Sequence, residues 1–501
     1  MNGDALFTTT LVKGPDRPLP RRPLGGGPGD KESPDVNSLD LARWQFALTT
    51  LLHFTVVGVS IGLVLYVALL QTRWHRSGDE RWLRLTRFYG KAMLLSFAVG
   101  VVTGILQTFQ FGMNWARFSA YVGDVFGAPL ALEGLGAFFV EAVFLGLWMF
   151  GWGRLPRRLH LACLWIVAGA AVLSAYTILV ANTWMQHPTG YVVVDGHARL
   201  TNVVPVLFNL NVGLTTAHVL AGSLLTGSMI VLAVAAWHLL GRRDVELFAP
   251  MAAMAVRIGL CAALVGAGAG HVQGMLALKQ QPMKMAAAEA LYDTESPAGL
   301  SLFAFAGFTA NPGSLLVDFK VPVALSLLND LSPSSTVRGI DDLQASAVAR
   351  YGPGNYVPIV GLMYWSFRSM VGSGTLLIAV LALGCWLSWR GRLTSSRRFL
   401  RVAMVCVALP FVAQAGGWIL REGGRQPWVV EGLLRTDAAN SVNVGVWAVG
   451  LSFSAYLAFY GVTFWFAGRT LLREVAHGVE DVGRASAPGR RPSSSDLALT
   501  Y

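Results

Sequence analysis

The chain has 501 residues, of which 54% are hydrophobic and only 13% are charged, with a mean hydropathy of +0.51. Soluble domains carry about 25% charged residues, so this composition excludes an ordinary soluble protein and predicts an integral membrane protein. The net charge of +11 would suit a nucleic-acid-binding protein, but the charges follow the pattern of a membrane topology instead.

The chain opens with a Pro- and Gly-rich stretch, "KGPDRPLPRRPLGGGPGDKESPD", which lacks the apolar centre of a signal peptide. Pro and Gly at this density do not form a packed core, so residues 1–40 are predicted to be a disordered extension. Residues 469–501, which contain "RASAPGRRPSSSD", are predicted to be a basic disordered tail at the cytoplasmic side.

Nine apolar stretches are long enough to cross ~30 Å of hydrocarbon as helices. They lie at 44–70, 89–110, 127–150, 159–182, 213–240, 250–270, 357–389, 400–420 and 441–468. The predicted fold is therefore an all-α membrane bundle. Residues 41–270 supply helices 1–6, 271–356 form a long loop, and 357–468 supply helices 7–9.

Basic residues concentrate in the odd-numbered loops, whereas the even-numbered loops carry few or balance them with acids. These residues are Arg73, Arg76, Arg81, Arg84, Arg87, Arg154, Arg157, Arg158, Arg242, Arg243, Arg390, Arg392, Arg397, Arg398 and Arg401. Cytoplasmic loops carry such an excess, so the N-terminus and the loop 271–356 are predicted outside and the C-terminus in the cytoplasm.

Four cysteines lie inside apolar runs and form no CxxC pair: Cys163, Cys261, Cys385 and Cys406. They are interpreted as buried, inert thiols rather than as a disulfide or a zinc site.

Ionisable groups inside a bilayer are costly unless they are paired or functional. Glu133 and Glu141 lie eight residues apart, within about 80° of each other on a helix, and so are expected to share a face. All of the groups concerned except Glu141 are predicted in the outer half of the membrane, which indicates one buried site. These are His53, Glu133, Glu141, His218, Arg368, Met370, Trp418 and Glu422.

Each residue also has a purely structural interpretation. A single membrane histidine is often a packing residue, a lone methionine is usually core, and Glu422 with Arg425 at i,i+3 could be only a helix-end ion pair. Taken together, two histidines, a methionine and carboxylates at similar depth resemble haem ligation. Nearby arginines would suit the haem carboxylates.

Several stretches, in order along residues 40–465, resemble subunit I of the cytochrome bd-type quinol oxidases. They are "RWQFALTTLLHF", "FQFGMNWARFSAYVGDVFGAPLALEGLGAFFVEAVFLGLW", "ILVANTWMQHPTGY", "TTAHVLAGSLLTG", "MKMAAAEALYDTE", "YWSFRSMVG" and "GWILREGGRQPW".

This resemblance implies a role for each site residue. His218 and Met370 would be the axial pair of a low-spin haem b, with Arg368 close by. His53 and Glu422 would each bind one of two high-spin haems, a haem b and a haem d (or a further haem b in its place); His53 matches the haem d ligand and Glu422 the haem b ligand, and the opposite assignment is the alternative. Trp418 and Arg425 match residues of the haem region, Glu133 and Glu141 match carboxylates near the high-spin pair, and Lys284 and Glu289 match a charged pair that binds quinol.

The resemblance also implies an activity and partners. Membrane quinol, menaquinol or ubiquinol, would be oxidised at the outer face of a bacterial cytoplasmic membrane. Oxygen would be reduced to water with cytoplasmic protons, which separates charge without pumping. A second large membrane subunit would complete the oxidase, with small single-helix subunits in some cases, and no nucleic acid is expected.

Three positions depart from the family pattern: Thr108 replaces a glutamate, Ala142 follows Glu141, and Val172 stands where an asparagine is expected. The proton route therefore differs here or runs through the partner subunit, and a divergent paralogue with altered activity is an alternative.

Two other functions compete with an oxidase. One is a proton-coupled transporter using Glu133 and Glu141, although the paired inverted halves typical of transporters are absent from the sequence. The other, a membrane cytochrome b, would need bis-His pairs on paired helices. "MKMAAAEAL", with Lys284 and Glu289, could also be merely a solvated helix of strong helix formers.

Overall fold

The computed structural model describes residues 36–305 and 315–479. Within these ranges, nine helices are long and apolar enough to cross a membrane, which confirms the predicted all-α membrane fold. We number them helix 1 to helix 9: Val36–Ser77, Glu80–Met113, Ala116–Phe150, Arg157–Gln186, Leu210–Leu240, Val245–Gln280, Val360–Trp389, Arg397–Gly423 and Val446–His477.

Most helices extend beyond the predicted apolar spans, because polar residues that favour helix continue them past the hydrocarbon. Residues 36–40 belong to helix 1 rather than to a disordered extension, and residues 469–477 belong to helix 9 rather than to the tail. Residues 1–35 and 480–501 lie outside the described part, so the prediction of disorder there stands untested. Helix 6 runs to Gln280, so the long loop begins at 281 and not at 271.

Helix 3 changes its winding in the middle of the membrane span. Two α-helical segments, Ala116–Ala131 and Phe139–Phe150, flank a π-helical segment, Leu132–Phe138, with the sequence LEGLGAF. π-helical turns occur frequently at functional sites, and this one carries Glu133 in its first turn.

The connections between helices differ sharply at the two ends of the bundle. The arginine end holds the short connections 78–79, 151–156, 241–244 and 390–396. The loop end holds the two-residue connection 114–115 and the long connections 187–209, 281–359 and 424–445, and the long ones include three antiparallel hairpins that the sequence did not predict. Their strands are β1 Tyr191–Val194, β2 His197–Leu200, β3 Leu300–Phe305, β4 Val317–Val321, β5 Trp428–Val430 and β6 Leu434–Arg435.

The largest apolar core joins helices 1 to 8 towards the arginine end. Its centre holds fully buried side chains such as Tyr66, Leu232 and Phe248. Polar side chains concentrate instead towards the loop end. All four cysteines are free, but only Cys163 and Cys406 are buried. Cys385 is half-buried and Cys261 is exposed, so the prediction of burial is wrong for Cys261, which lies on the outward face of helix 6.

Candidate functional site

Glu422 lies in the last turn of helix 8 and is held by two helices. Its Oε1 accepts hydrogen bonds from Asn182 Nδ2 at 2.8 Å and Gln186 Nε2 at 3.2 Å, both on helix 4. Its Oε2 accepts one from Arg425 Nη2 at 2.6 Å. The i,i+3 ion pair is therefore present, but it is only one part of a cage. A carboxylate has about four acceptor positions, so Oε2 keeps one for a further partner.

Lys284 continues this network from the short helix Pro282–Glu289, which follows helix 6. Its Nζ donates to Gln186 Oε1 at 2.5 Å and to Gln281 Oε1 at 2.7 Å. Gln281 Nε2 in turn donates to Glu431 Oε2 at 3.0 Å. We call the series Glu431–Gln281–Lys284–Gln186–Glu422 the polar chain.

The Lys284 ammonium is unusual because it is buried near other cations. Only 6% of Lys284 and 5% of Glu289 is exposed, which excludes a solvated helix. Burial, followed by the charges of Arg421 and Arg425, lowers the pKa of Lys284 to about 7. Burial also raises the pKa of Glu431. The lysine at the centre of the polar chain therefore changes its charge near neutral pH.

Glu289 forms an ion pair with Arg368 of helix 7, with 2.6 Å between Oε2 and Nη2. Arg368 also donates to the carbonyl oxygens of Ala288, at 3.2 Å, and Ser301. Burial raises the pKa of Glu289 despite the opposing effect of Arg368. Arg368 thus fixes the carboxylate and ties helix 7 to strand β3.

Phe54 and Trp418 bring helices 1 and 8 together, because their rings stack with centroids 4.9 Å apart. Trp418 lies one helical turn before Glu422. His53 precedes Phe54 in the chain and itself contacts Thr103 and Gly104 of helix 2. The residues predicted as ligands of the two high-spin haems therefore lie on two helices that are in contact.

Hydrogen bonds define which ring nitrogen of each histidine carries the proton. His218 Nδ1 is 2.8 Å from the carbonyl oxygen of Gly266, which can only accept, so Nδ1 is protonated. His53 Nδ1 is 2.9 Å from Thr103 Oγ1, whose own hydrogen is directed to the carbonyl oxygen of Val99 at 2.8 Å. Both rings therefore keep a lone pair on Nε2, the state that a metal ligand needs.

Glycines of neighbouring helices lie against the predicted ligands. A Cβ on Gly104 would lie 3.1 Å from His53 Cε1, and one on Gly270 would lie 3.0 Å from His218 Cε1. One on Gly417 would lie 2.9 Å from Met370 Sδ. Any larger residue at these places would displace the ligand side chain.

Glu133 and Glu141 lie apart from this network. Glu133 Oε1 accepts a hydrogen bond from Ser174 Oγ on helix 4 at 3.1 Å. Among the described residues, no hydrogen bond joins Glu141 to another side chain or connects either glutamate to the polar chain. The two carboxylates still interact electrostatically with each other.

Sequence analysis missed the amides and one carboxylate of this site: Asn182, Gln186, Gln281 and Glu431. An amide in an apolar span also needs a partner, so the same cost argument could have identified Asn182 and Gln186. Ser174 was missed as well, although it supplies a polar partner close to Val172, where the family's asparagine is absent.

The residues fit haem. Two histidines present a lone pair on Nε2, and Met370 and Glu422 add a thioether and a carboxylate, which are known donors to haem iron or its surroundings. Arg425 is 5% exposed, and its Nη1 has no hydrogen-bond partner among the described residues. A buried guanidinium nitrogen needs an acceptor, and a haem carboxylate would supply one.

Comparisons with known proteins identify the family of this chain. The family model described as "Cytochrome bd terminal oxidase subunit I" matches residues 41–479. The chain is 42% identical to "Cytochrome bd ubiquinol oxidase subunit 1" of Bacillus subtilis (strain 168), over 90% of this chain and 97% of that one. It is 33% identical to "Cytochrome bd-II ubiquinol oxidase subunit 1" of Escherichia coli (strain K12), over 80% and 90%.

A solved structure of bd oxidase from Geobacillus thermodenitrificans has the same fold. Its TM-score is 0.80 at 27% identity, and the match covers 88% of this chain and 99% of that chain. With a family match across nearly all of the described helices and two close relatives, the chain belongs to the cytochrome bd terminal oxidase subunit I family.

Proposed function

We propose that this chain is the haem-bearing catalytic subunit of a quinol oxidase in a bacterial cytoplasmic membrane. It oxidises quinol at the loop end, which faces outside, and reduces oxygen to water with protons from the cytoplasm. The observation that carries this proposal is the polar chain, because it joins Lys284, the quinol residue, to Glu422, the iron ligand, by unbroken hydrogen bonds.

Three sets of side chains would hold the haems. His218 and Met370 take the low-spin haem b, His53 takes one high-spin haem (haem d or a further haem b), and Glu422 takes the other, a haem b. Bound haem would supply one-electron transfer and the reduction of oxygen.

The surrounding residues keep these ligands in place. Gly266 and Thr103 fix the histidine rings, the buried Arg425 Nη1 would donate to a haem carboxylate, and Trp418 stacks on Phe54, the neighbour of His53.

At the quinol site, the residues of the loop end orient the substrate and receive its protons. Arg368 holds Glu289 in one position, so the carboxylate can accept a hydrogen bond from a quinol hydroxyl. Lys284, with its pKa near 7, can take up a proton when neutral. Glu431 is the next ionisable group along the polar chain and leads towards the loop-end surface.

Protons for water are supplied from the other side of the membrane. Glu133 and Glu141 on helix 3, with Ser174 beside Glu133, are the polar groups of this chain that serve that route. Compared with the family pattern, this route loses a carboxylate at Thr108 and polar side chains at Ala142 and Val172. The partner subunit therefore supplies part of the proton route. Release of quinol protons outside and uptake of protons from the cytoplasm separate charge across the membrane without pumping.

The partners follow from the same assignment. The relatives are named subunit 1 of ubiquinol oxidases, so we propose a second large membrane subunit and a membrane quinol, ubiquinol or menaquinol, as the electron donor. Small single-helix subunits would complete the assembly in the way the family resemblance implies.

The experiment that tests this function is a dithionite-reduced minus oxidised spectrum of the purified oxidase. We expect three haem signatures in the wild type. His218→Ala and Met370→Ala should lose the low-spin band, and Glu422→Ala should lose high-spin features.

Matched controls come from helix 5. His238 and Met229 on this helix are both buried and lie nearer the arginine end, so His238→Ala and Met229→Ala should retain all bands. A wild type without haem would refute the oxidase and favour a proton-coupled transporter, whereas three haems without quinol oxidase activity would indicate a divergent paralogue.

A further inference from the structure

The two-stranded sheet β3–β4 has its polarity reversed relative to a sheet that faces water. Cross-strand partners point to the same face, so Phe303 pairs with Phe319 and Phe305 with Val317 on one face. Ser301 with Lys320 and Ala304 with Asp318 lie on the other. The first face is the outward one, and its members are 40–66% exposed: Phe303, Phe305, Val317, Phe319 and Val321.

The inward face, by contrast, is polar and firmly attached. Ser301 is 1% exposed, and its Oγ lies 2.7 Å from Asp318 Oδ1 and 3.0 Å from Tyr364 Oη on helix 7. Lys320 Nζ bonds Glu295 at 2.5 Å, and Arg368 donates to the carbonyl oxygen of Ser301. These bonds fix which face of the sheet turns outward, so its apolar face cannot rotate inward.

The outward face is continuous with the membrane surface of helix 7. Phe303 contacts Trp365 edge to face, with ring centroids 5.5 Å apart. Trp365 is 37% exposed and lies in the second turn of helix 7, beside the exposed Leu362. Tryptophan is enriched where membrane helices leave the hydrocarbon, so this contact places the sheet at the level of the bilayer interface.

We propose that the apolar face of β3–β4 lies on the lipid bilayer, as an interfacial anchor of the loop end. Aromatic and aliphatic side chains without charges suit insertion at the boundary of headgroups and acyl chains, and water would leave this face unfavourably exposed. A lipid surface is favoured over a protein partner because the face continues the lipid-facing surface of helix 7.

The anchor has a consequence for the quinol site, and this part rests on the proposed function. Ser301 connects the sheet to Arg368, and Arg368 holds Glu289. Lipid contact at the sheet therefore holds the quinol residues at the membrane surface, where a quinol with a hydrophobic tail resides.

Depth-dependent fluorescence quenching tests the anchor without using activity. Phe319→Cys is made in a chain whose native cysteines are replaced, labelled with a polarity-sensitive fluorophore, and reconstituted as the full oxidase complex in phosphatidylcholine vesicles. Doxyl-labelled phosphatidylcholine should quench the label at 319 at least threefold more than the label of Ser334→Cys. Ser334 is the control, because it is an exposed polar residue of the same loop that lies outside the sheet and makes none of the bonds that orient it.

Val317→Cys provides a second position on the apolar face and should behave like Phe319→Cys. If the doxyl lipids do not quench the labels at 319 and 317, the proposed lipid anchor is refuted, whether water or another protein chain surrounds those labels. Haem absorption bands are recorded on the same samples. Missing haem bands would count against the proposed function, whereas missing quenching would count against lipid contact, so the two failures are distinguished.

Discussion

At the scale of single residues, hydrogen bonds to His218 and His53 determine which ring nitrogen of each carries the proton. A carbonyl oxygen beside His218 and a hydroxyl that already donates elsewhere beside His53 leave each Nε2 without a proton. Sequence alone cannot specify this, because Gly266 is 48 residues from His218 and Thr103 is 50 residues from His53. The sequence does show which ionisable groups lie in apolar spans. Because such groups are costly in a membrane, this argument identified both histidines.

The Thr103 hydroxyl is expected to support the haem that His53 holds. Thr103→Val keeps the shape of the side chain but removes the acceptor of the His53 Nδ1 hydrogen. Losing such a supporting bond typically weakens metal binding by about 10- to 100-fold. We expect a lower content of that haem, measured by pyridine haemochrome analysis and absorption spectra of the purified oxidase.

Thr108→Val is the control on the same helix, because its hydroxyl is exposed and bonds only the carbonyl oxygen of Gly104. Full haem content in both variants would contradict the role of Thr103.

Glu431 is expected to tune Lys284 through the polar chain. An ionised Glu431 favours the charged form of Lys284 and so raises the pKa of the lysine. Glu431→Gln removes this effect, and the pKa of Lys284 should fall below about 7. In the proposed function neutral Lys284 receives the quinol proton, so the rate should rise with pH through that pKa. Its inflection should move to lower pH by roughly half a unit to one unit.

The measurement is the pH profile of quinol oxidation at saturating quinol. Glu474→Gln at the end of helix 9, far along the chain from this network, serves as the control and should leave the profile unchanged. An unshifted profile in Glu431→Gln would exclude electrostatic coupling along the polar chain.

At the scale of elements, apolar length predicted the number of spans but not their internal geometry. The π-helical segment lies within helix 3, and the break at Gln281 directly follows the end of helix 6. The π segment places Glu133 opposite Ser174, and the break turns Lys284 back into the bundle. Neither can be predicted from hydropathy, because both depend on partners on other helices.

The hairpins at the loop end were missed for a related reason. Their strands have two to six residues, too few for a periodic pattern to be distinguished from an irregular loop. Their positions come from contacts such as those of Ser301 with helix 7.

The crossing of helices 1 and 5 depends on two glycines, one from each helix. A Cβ on Gly227 would lie 2.8 Å from the carbonyl carbon of Gly62, and backbone cannot yield as a side chain can. Gly227→Ala should therefore separate the helices and cost about 1–3 kcal/mol of stability. Thermal unfolding in detergent should show a lower Tm.

Gly222→Ala is the matched control, because Gly222 lies on the same helix and a Cβ there would meet no other atom within 4 Å. An equal Tm for the two variants would show that the crossing tolerates extra volume.

At the scale of the whole molecule, charge and chemistry lie at opposite ends of the bundle. One end holds the arginines of the odd-numbered loops, in the short connections and the adjoining helix ends, and the other end holds the polar chain and the three hairpins. The sequence predicts that the first end is cytoplasmic and the second is outside. Quinol protons would then leave on the side opposite to uptake, so the energetic output of the enzyme depends on this orientation.

Labelling with a membrane-impermeant maleimide tests the orientation. Asn355 at the loop end and Ser395 at the arginine end are both exposed, so each is replaced singly by cysteine. In intact spheroplasts we expect Asn355→Cys to be labelled and Ser395→Cys to react only after permeabilisation. The wild-type chain is the blank for native thiols, which all lie in helices. The reverse pattern would place the quinol site in the cytoplasm, so that protons would be released there and taken up from outside, which reverses the sign of the charge separation.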